Sequence, residues 1–265
     1  MQKKPKKKIQ PVYKPYLKGI PRDTQTVRRA SSVLGLIAIS MFIYLIAGSV
    51  LVNGNILIRA VLSLVFVAMF VSLAYSNGMN TGFQDVTFAE IAYQRRENGK
   101  TLDESEAAKC YHPAKGLVNA LMGVTPFFLL AVVLAVSAQP QFFIRSSLPV
   151  WVSALERRTE VGAALQFYHQ SVPWSIVDII RMIVRLAIMP FITLAGSDNV
   201  WQTVWVERLS PLLVLIIPLG YAAGYLRGPD ARAKMHAGIA ANVRRRRKRE
   251  KKRLEQKRKE PEQLV

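Results

Sequence analysis

Residues 33–52 read VLGLIAISMFIYLIAGSVLV, twenty positions without a charged side chain. A helix rises about 1.5 Å per residue, so roughly 20 apolar residues match the ~30 Å hydrocarbon core of a bilayer. Three more runs of this kind follow: sixteen residues at 60–75, twenty-three at 116–138 and eighteen at 209–226. Residues 56–58 extend the first of these backwards if Arg59 snorkels to the interface. One such run suits a buried core helix in a water-soluble protein; four do not. The pattern predicts an all-α fold, a polytopic transmembrane helix bundle.

Charge is partitioned to match. Residues 1–29 carry ten Lys/Arg against one acid, net +9, and residues 227–265 carry fifteen against five, net +10. The stretch between is almost neutral, with twelve basic and eleven acidic residues. A water-soluble basic protein scatters its charges, whereas a membrane body concentrates them at its ends. The thirty-two residues before the first run exceed the basic leader of a signal peptide, so that run reads as a retained anchor. Cys110 is the single cysteine, which excludes an internal disulfide and a thiolate metal cluster.

Short Lys/Arg-rich segments stay in the cytosol, so both basic ends lie there only if the number of crossings is even. Residues 174–194 form a fifth candidate, and 141–155 a weaker sixth that contains Arg145 and Pro149. Six passages, one of them short or re-entrant, are expected. The chain then divides into a basic cytosolic tail (1–32), a transmembrane hairpin (33–75), a cytosolic helical loop (76–115), a transmembrane bundle (116–226) and a basic cytosolic tail (227–265). Trp201 and Trp205, four apart in an outer connection at 196–208, suit an interfacial aromatic belt. The short outer loops and heavy cytosolic bias are in the style of a bacterial inner-membrane protein.

The loop at 76–115 is expected to be a small helical hairpin. Phe83, Val86, Ala89 and Tyr93 recur near helical spacing, Asn98–Gly99 is a stop, and Thr101 with Glu104 has the spacing of a capping box. The acids Asp103, Glu104 and Glu106 read as a solvated face. His112–Pro113 closes the second helix.

Candidate chemistry is sparse. Asp178, Arg181 and Arg185 are spaced i, i+3 and i+7, which places them within about a 60° wedge of one helix face. Charged groups inside a span cost about 2.5–3.5 kcal/mol each on insertion scales and usually face a bundle interior or a water-filled cavity. The face reads either as an anion or lipid-phosphate site, or as arginines that snorkel to head groups. Arg185 lies about 16 Å along the helix from Trp174, at 1.5 Å per residue, and has no partner within its own helix. Pro126, Pro190 and Pro218 interrupt spans, which permits kinks. Gly220, Gly224 and Gly228 form a tandem GxxxG stripe for close helix packing.

Beyond Gly228–Pro229 a helix is expected to restart, with Met235, Ile239 and Val243 as a thin apolar stripe. A cluster of cations follows: Arg244, Arg245, Arg246, Arg247, Lys248, Arg249, Lys251, Lys252 and Arg253. Such a cluster engages anionic lipid head groups at about 1 kcal/mol per cation near the surface. Another membrane subunit, an acidic cytosolic protein or RNA are the other candidate partners. Residues 229–265 contain no aromatic side chain, so RNA contact would involve phosphates alone and is not favoured.

No phosphate-binding Gly-rich loop, nucleophile elbow or HExxH pair occurs, and His112, His169 and His236 are isolated. No catalytic residue, cofactor or metal is assigned. The reading is a non-enzymatic membrane component, an accessory or scaffold subunit whose basic tails engage anionic lipid or a cytosolic partner. Alternatives are a small transporter or permease subunit using the charged face, and a ribosome-associated membrane protein.

Overall fold

The computed structural model describes residues 11–51, 55–139, 175–195 and 200–259, with 155 and 158 between, and the regular elements among them are all helices. The weak passage at 141–155 therefore lies almost wholly outside the described residues, as do Trp174 and His169.

The helices are α1 (Thr26–Leu51), α2 (Ile56–Glu97), α3 (Glu104–Lys109), α4 (Pro113–Ser137) and α5 (Ile176–Ala187). They continue with α6 (Met189–Ala195), α7 (Val200–Arg208), α8 (Ser210–Val214), α9 (Ile216–Leu226) and α10 (Gly228–Lys259). Three of them, α1, α2 and α4, are long and apolar enough to cross a membrane, and α7 with the stretch Ser210–Leu226 (α8 and α9) makes a fourth if the two, bent by 59°, are one span. Only 11% of the apolar window of α2 is buried within the protein, so its apolar side chains need lipid around them.

The breaks have a common cause. Proline has no N–H to give the carbonyl four residues back. Pro190 follows the break at Ile188, Pro211 the break at Leu209, and Pro218 the break at Leu215. Arg227 separates α9 from α10, with Pro229 in the first turn of the latter, where its missing N–H does no harm. Pro126 sits inside an uninterrupted α4.

The largest departure from the sequence reading is the length of α2. It does not end near residue 75 but runs 42 residues, carrying the first half of the expected hairpin as its own continuation. No Gly or Pro stop stands between Tyr75 and Asn98 other than Gly78 and Gly82, which a helix tolerates. Gly99, at φ 75°, ends it. At α3 the N-cap is Asp103, without a side-chain cap bond, so the expected capping box at Thr101 does not form.

The chain divides into two compact units. The first draws on Met1–Val33, Ser72–Met122 and Leu219–Val265, and the second on Leu34–Val71 and Gly123–Pro218. In the first unit Val86, Ala89, Ala92, Cys110, Tyr111 and Tyr225 form the core. An extended N-terminal strap lies across it, held by backbone bonds from Val12 N to Ala233 O, Leu17 N to Ala89 O and Gly19 N to Tyr111 O. In the second unit Tyr44 packs edge-on against Phe66 and Phe70, and the buried hydroxyls of Ser63 and Thr193 share a 3.1 Å hydrogen bond.

Candidate functional site

In the second unit, α5 begins at a capping box. The Ser175 side chain accepts from the first turn, and the Asp178 carboxylate accepts from the Ser175 N–H at 3.1 Å. Asp178 is thus committed mainly to the cap; its contact with Arg181 is a loose 3.8 Å. The partner that the α5 sequence lacks comes from α7. Glu207, fully buried, accepts from Arg185 Nε at 2.6 Å and stands 3.3 Å from Arg181 Nε. Arg181 is buried and also reaches the Gln139 carbonyl at 3.4 Å, while the Arg185 side chain is 37% exposed.

Glu207, which the sequence places in an outer connection, meets both Arg181 and Arg185, while Asp178 touches only Arg181 of the two. Glu207 sits on a helix whose Trp201 and Trp205 are exposed, so it occupies the opposite, buried side of α7. Two carboxylates face two guanidiniums, and the cluster carries no net charge. It borders a cavity of about 730 Å³ whose remaining wall is apolar, including Met41, Leu45, Met182, Leu186, Met189 and Ile192. A neutral cluster offers a free anion little net attraction, because any incoming charge must compete with Glu207 for Arg185.

The first unit holds a second ionic cluster that composition alone could not reveal. Lys115, with no exposed side-chain surface, donates to Asp23 at 2.9 Å and to the carbonyls of Ala108 and Cys110 at 2.8 and 3.0 Å, which uses all three ammonium protons. Asp85 on α2 accepts a two-pronged bond from Arg29 at 2.6 and 2.7 Å and a third from the Tyr225 hydroxyl at 2.6 Å. Burial alone would raise the Asp23 carboxyl. The Lys115 ammonium, with Arg29 and the Gln25 N–H, outweighs it and holds the group below the usual carboxylate range. Burial lifts the Tyr111 hydroxyl to about 12. The cluster ties the strap, α1, α2, α4 and α9 together and is balanced in charge, so its work is structural.

The glycine stripe meets a second one. A Cβ on Gly224 would strike the Tyr75 carbonyl, one on Gly78 the Tyr221 carbonyl, one on Gly82 the Tyr225 carbonyl, and one on Gly228 the Gly82 backbone. Gly220 is buried on the same helix. Contacts advance together, from 75 with 224 to 82 with 228, so α9 and α2 run parallel at backbone contact. The sequence held this signal too, since Gly78 and Gly82 are themselves spaced four apart.

α10 continues the same course. Glu90 on α2 accepts from Arg232 at 2.9 Å and meets His236 Nε2 at 3.0 Å, and Tyr13 of the strap donates to Asp230 at 3.0 Å. Ala233 and Ala237 are buried, while Met235, Ile239 and Val243 lie exposed. From Arg244 to Arg253 every residue of the helix is exposed. Compared with protein families, with curated proteins and with solved structures, the chain matches none.

Proposed function

We propose that this chain is a non-enzymatic membrane component that holds a cationic helix in the aqueous phase, where it engages an anionic partner. The observation that carries this reading is the parallel docking of α10 along α2, through Gly82 with Gly228 and Glu90 with Arg232 and His236. Membrane-spanning segments α1, α2 and α4, with α7, α8 and α9 read together as one bent span, make four crossings. With a further even number, or a re-entrant piece, in 140–195 the two ends share one side. The Val12–Ala233 backbone bond and the Tyr13–Asp230 contact support a common side, since segments bonded outside the spans cannot lie across a bilayer from one another. The heavy Lys/Arg content of both ends makes that side the cytosol.

A test uses the full chain in discs of uncharged lipid, passed over an immobilised sulfated polysaccharide at physiological salt. Retention of the full chain, and passage of a chain ending at residue 243, is the expected outcome. If both pass alike, the basic helix has no accessible surface and the proposal falls.

A second reading, a small transporter or permease subunit, has the cavity beside Arg185 in its favour. Arg185→Leu separates the two. Unaltered insertion and stability with loss of anion binding or transport supports the transporter, whereas lowered stability with binding and transport intact leaves Arg185 as the structural partner of Glu207.

A further inference from the structure

The partner of the basic helix follows from where the helix stands and how its charge is distributed. α2 runs about 33 Å past Tyr75, the last residue of its apolar run, at 1.5 Å per residue. α10 is docked parallel to this extension as far as Glu90. Arg244 lies sixteen residues, about 24 Å, along α10 from Gly228, just past the break that follows the last apolar run. The polar zone of a bilayer adds only about 5–8 Å beyond the hydrocarbon on each side, and the screening length is about 8 Å at physiological salt. With α10 along the bilayer normal, the cations begin about two screening lengths beyond the head groups of the chain's own membrane. Head-group attraction supplies little there.

What these cations fit is set by their spacing. Nine cations and one acid occupy residues 244–253, about 15 Å of helix. Ten consecutive helical positions point in every direction around the axis, and all are exposed. The surface is a cationic rod rather than a cationic face. A flat acidic patch on a protein would meet only one side of it. A groove walled by charge on both sides meets most of it, and a nucleic-acid duplex carries one phosphate per ~1.7 Å of axis, close to the cation density of the rod. Six of the nine are arginines, whose planar fork grips phosphate oxygens in pairs. The missing aromatic residues remove base stacking but leave backbone contact intact.

We infer that residues 244–253 of α10 bind the phosphate backbone of double-helical nucleic acid in the aqueous phase, without base sequence preference. This rests on the proposed presentation of the helix. Like charges at i, i+3 and i+4 disfavour an isolated helix by a few tenths of a kcal/mol per pair. Phosphates that neutralise them therefore also stiffen the rod.

The experiment places the full chain in uncharged discs and measures binding to an RNA duplex, a DNA duplex, polyglutamate and anionic vesicles. The expected result is preferential duplex binding that weakens about a thousandfold or more between roughly 50 and 200 mM salt, as for six or more phosphate contacts. Joint replacement of Arg244, Arg245, Arg246 and Arg247 by Gln, which keeps helix propensity, should remove at least a hundredfold of the affinity. RNA bound over DNA, or the reverse, names the source of the phosphates. Polyglutamate or vesicles bound as tightly as duplex at equal salt overturns the choice of partner while leaving the proposed function standing. Binding to none of the four overturns both.

Discussion

At the scale of single residues, the charges that matter most are the ones water cannot reach. Lys115 and Asp23 have no exposed side-chain surface, and each is satisfied by the other and by backbone groups. Removing one member of such a pair strands the other in an apolar setting, at a cost of about 3–5 kcal/mol, whereas removing both is far milder. Lys115→Met should therefore lower the unfolding free energy in mild detergent by about that amount, and Asp23→Asn added to it should restore a good part. A double variant as damaged as the two singles summed would show that the residues act independently. The same pair sets a pH response. The Asp23 carboxyl is held below its usual range, so the stability it contributes is present above about pH 4, near its unfolded value, and is lost as pH falls through the lowered one. Melting temperature should decline over that acid window, and Lys115→Met should flatten the decline, because it removes the main cause of the shift.

At the scale of elements, the long apolar helices α1, α2 and α4 were legible and helix extent was not: the expected fifth passage at 174–194 is two short helices, α5 and α6, neither of them long enough to cross a membrane. Hydropathy reports where lipid-facing side chains are, so it ended α2 at residue 75; the backbone continues until Gly99 gives it a reason to stop. Glycine carries two opposite meanings in this chain, and only packing tells them apart. Gly224 lies at backbone contact with Tyr75, so Gly224→Leu must push α9 from α2, a cost of at least 1–3 kcal/mol and more if neither helix yields. Gly238 meets nothing within 4 Å on α10, so Gly238→Ala should stabilise by about 0.5–1 kcal/mol through helix propensity alone. Thermal unfolding of the two variants side by side checks both signs. Equal behaviour would mean that α2 and α9 are not in contact. The charged wedge of α5 shows the same limit of sequence reading: Asp178, Arg181 and Arg185 were visible from spacing, but Glu207 lies 22 residues beyond Arg185 on another helix, and no periodicity connects them.

At the scale of the whole molecule, basic ends on one side require an even number of crossings, and the contacts of the strap bear on the same proposed layout. The strap reaches α10 at Ala233 and Asp230, α2 at Ala89 and α4 at Lys115, so residues 12–23 and the first turns of α10 enter one hydrogen-bonded unit. A charge rule can be overruled by a strongly apolar span, but a unit assembled from both ends cannot form if a bilayer divides them. Reporters active on one side of the membrane, fused in turn before residue 11 and after residue 259, should therefore give the same sidedness. Deleting residues 11–19 should leave that sidedness intact, since the spans and the distal cations remain. The same deletion should expose the Tyr111–Tyr225 stack, seen as earlier unfolding and faster hydrogen exchange in residues 86–92. Opposite sidedness in the intact chain would be incompatible with the Val12–Ala233 bond and would remove the frame on which α10 is held.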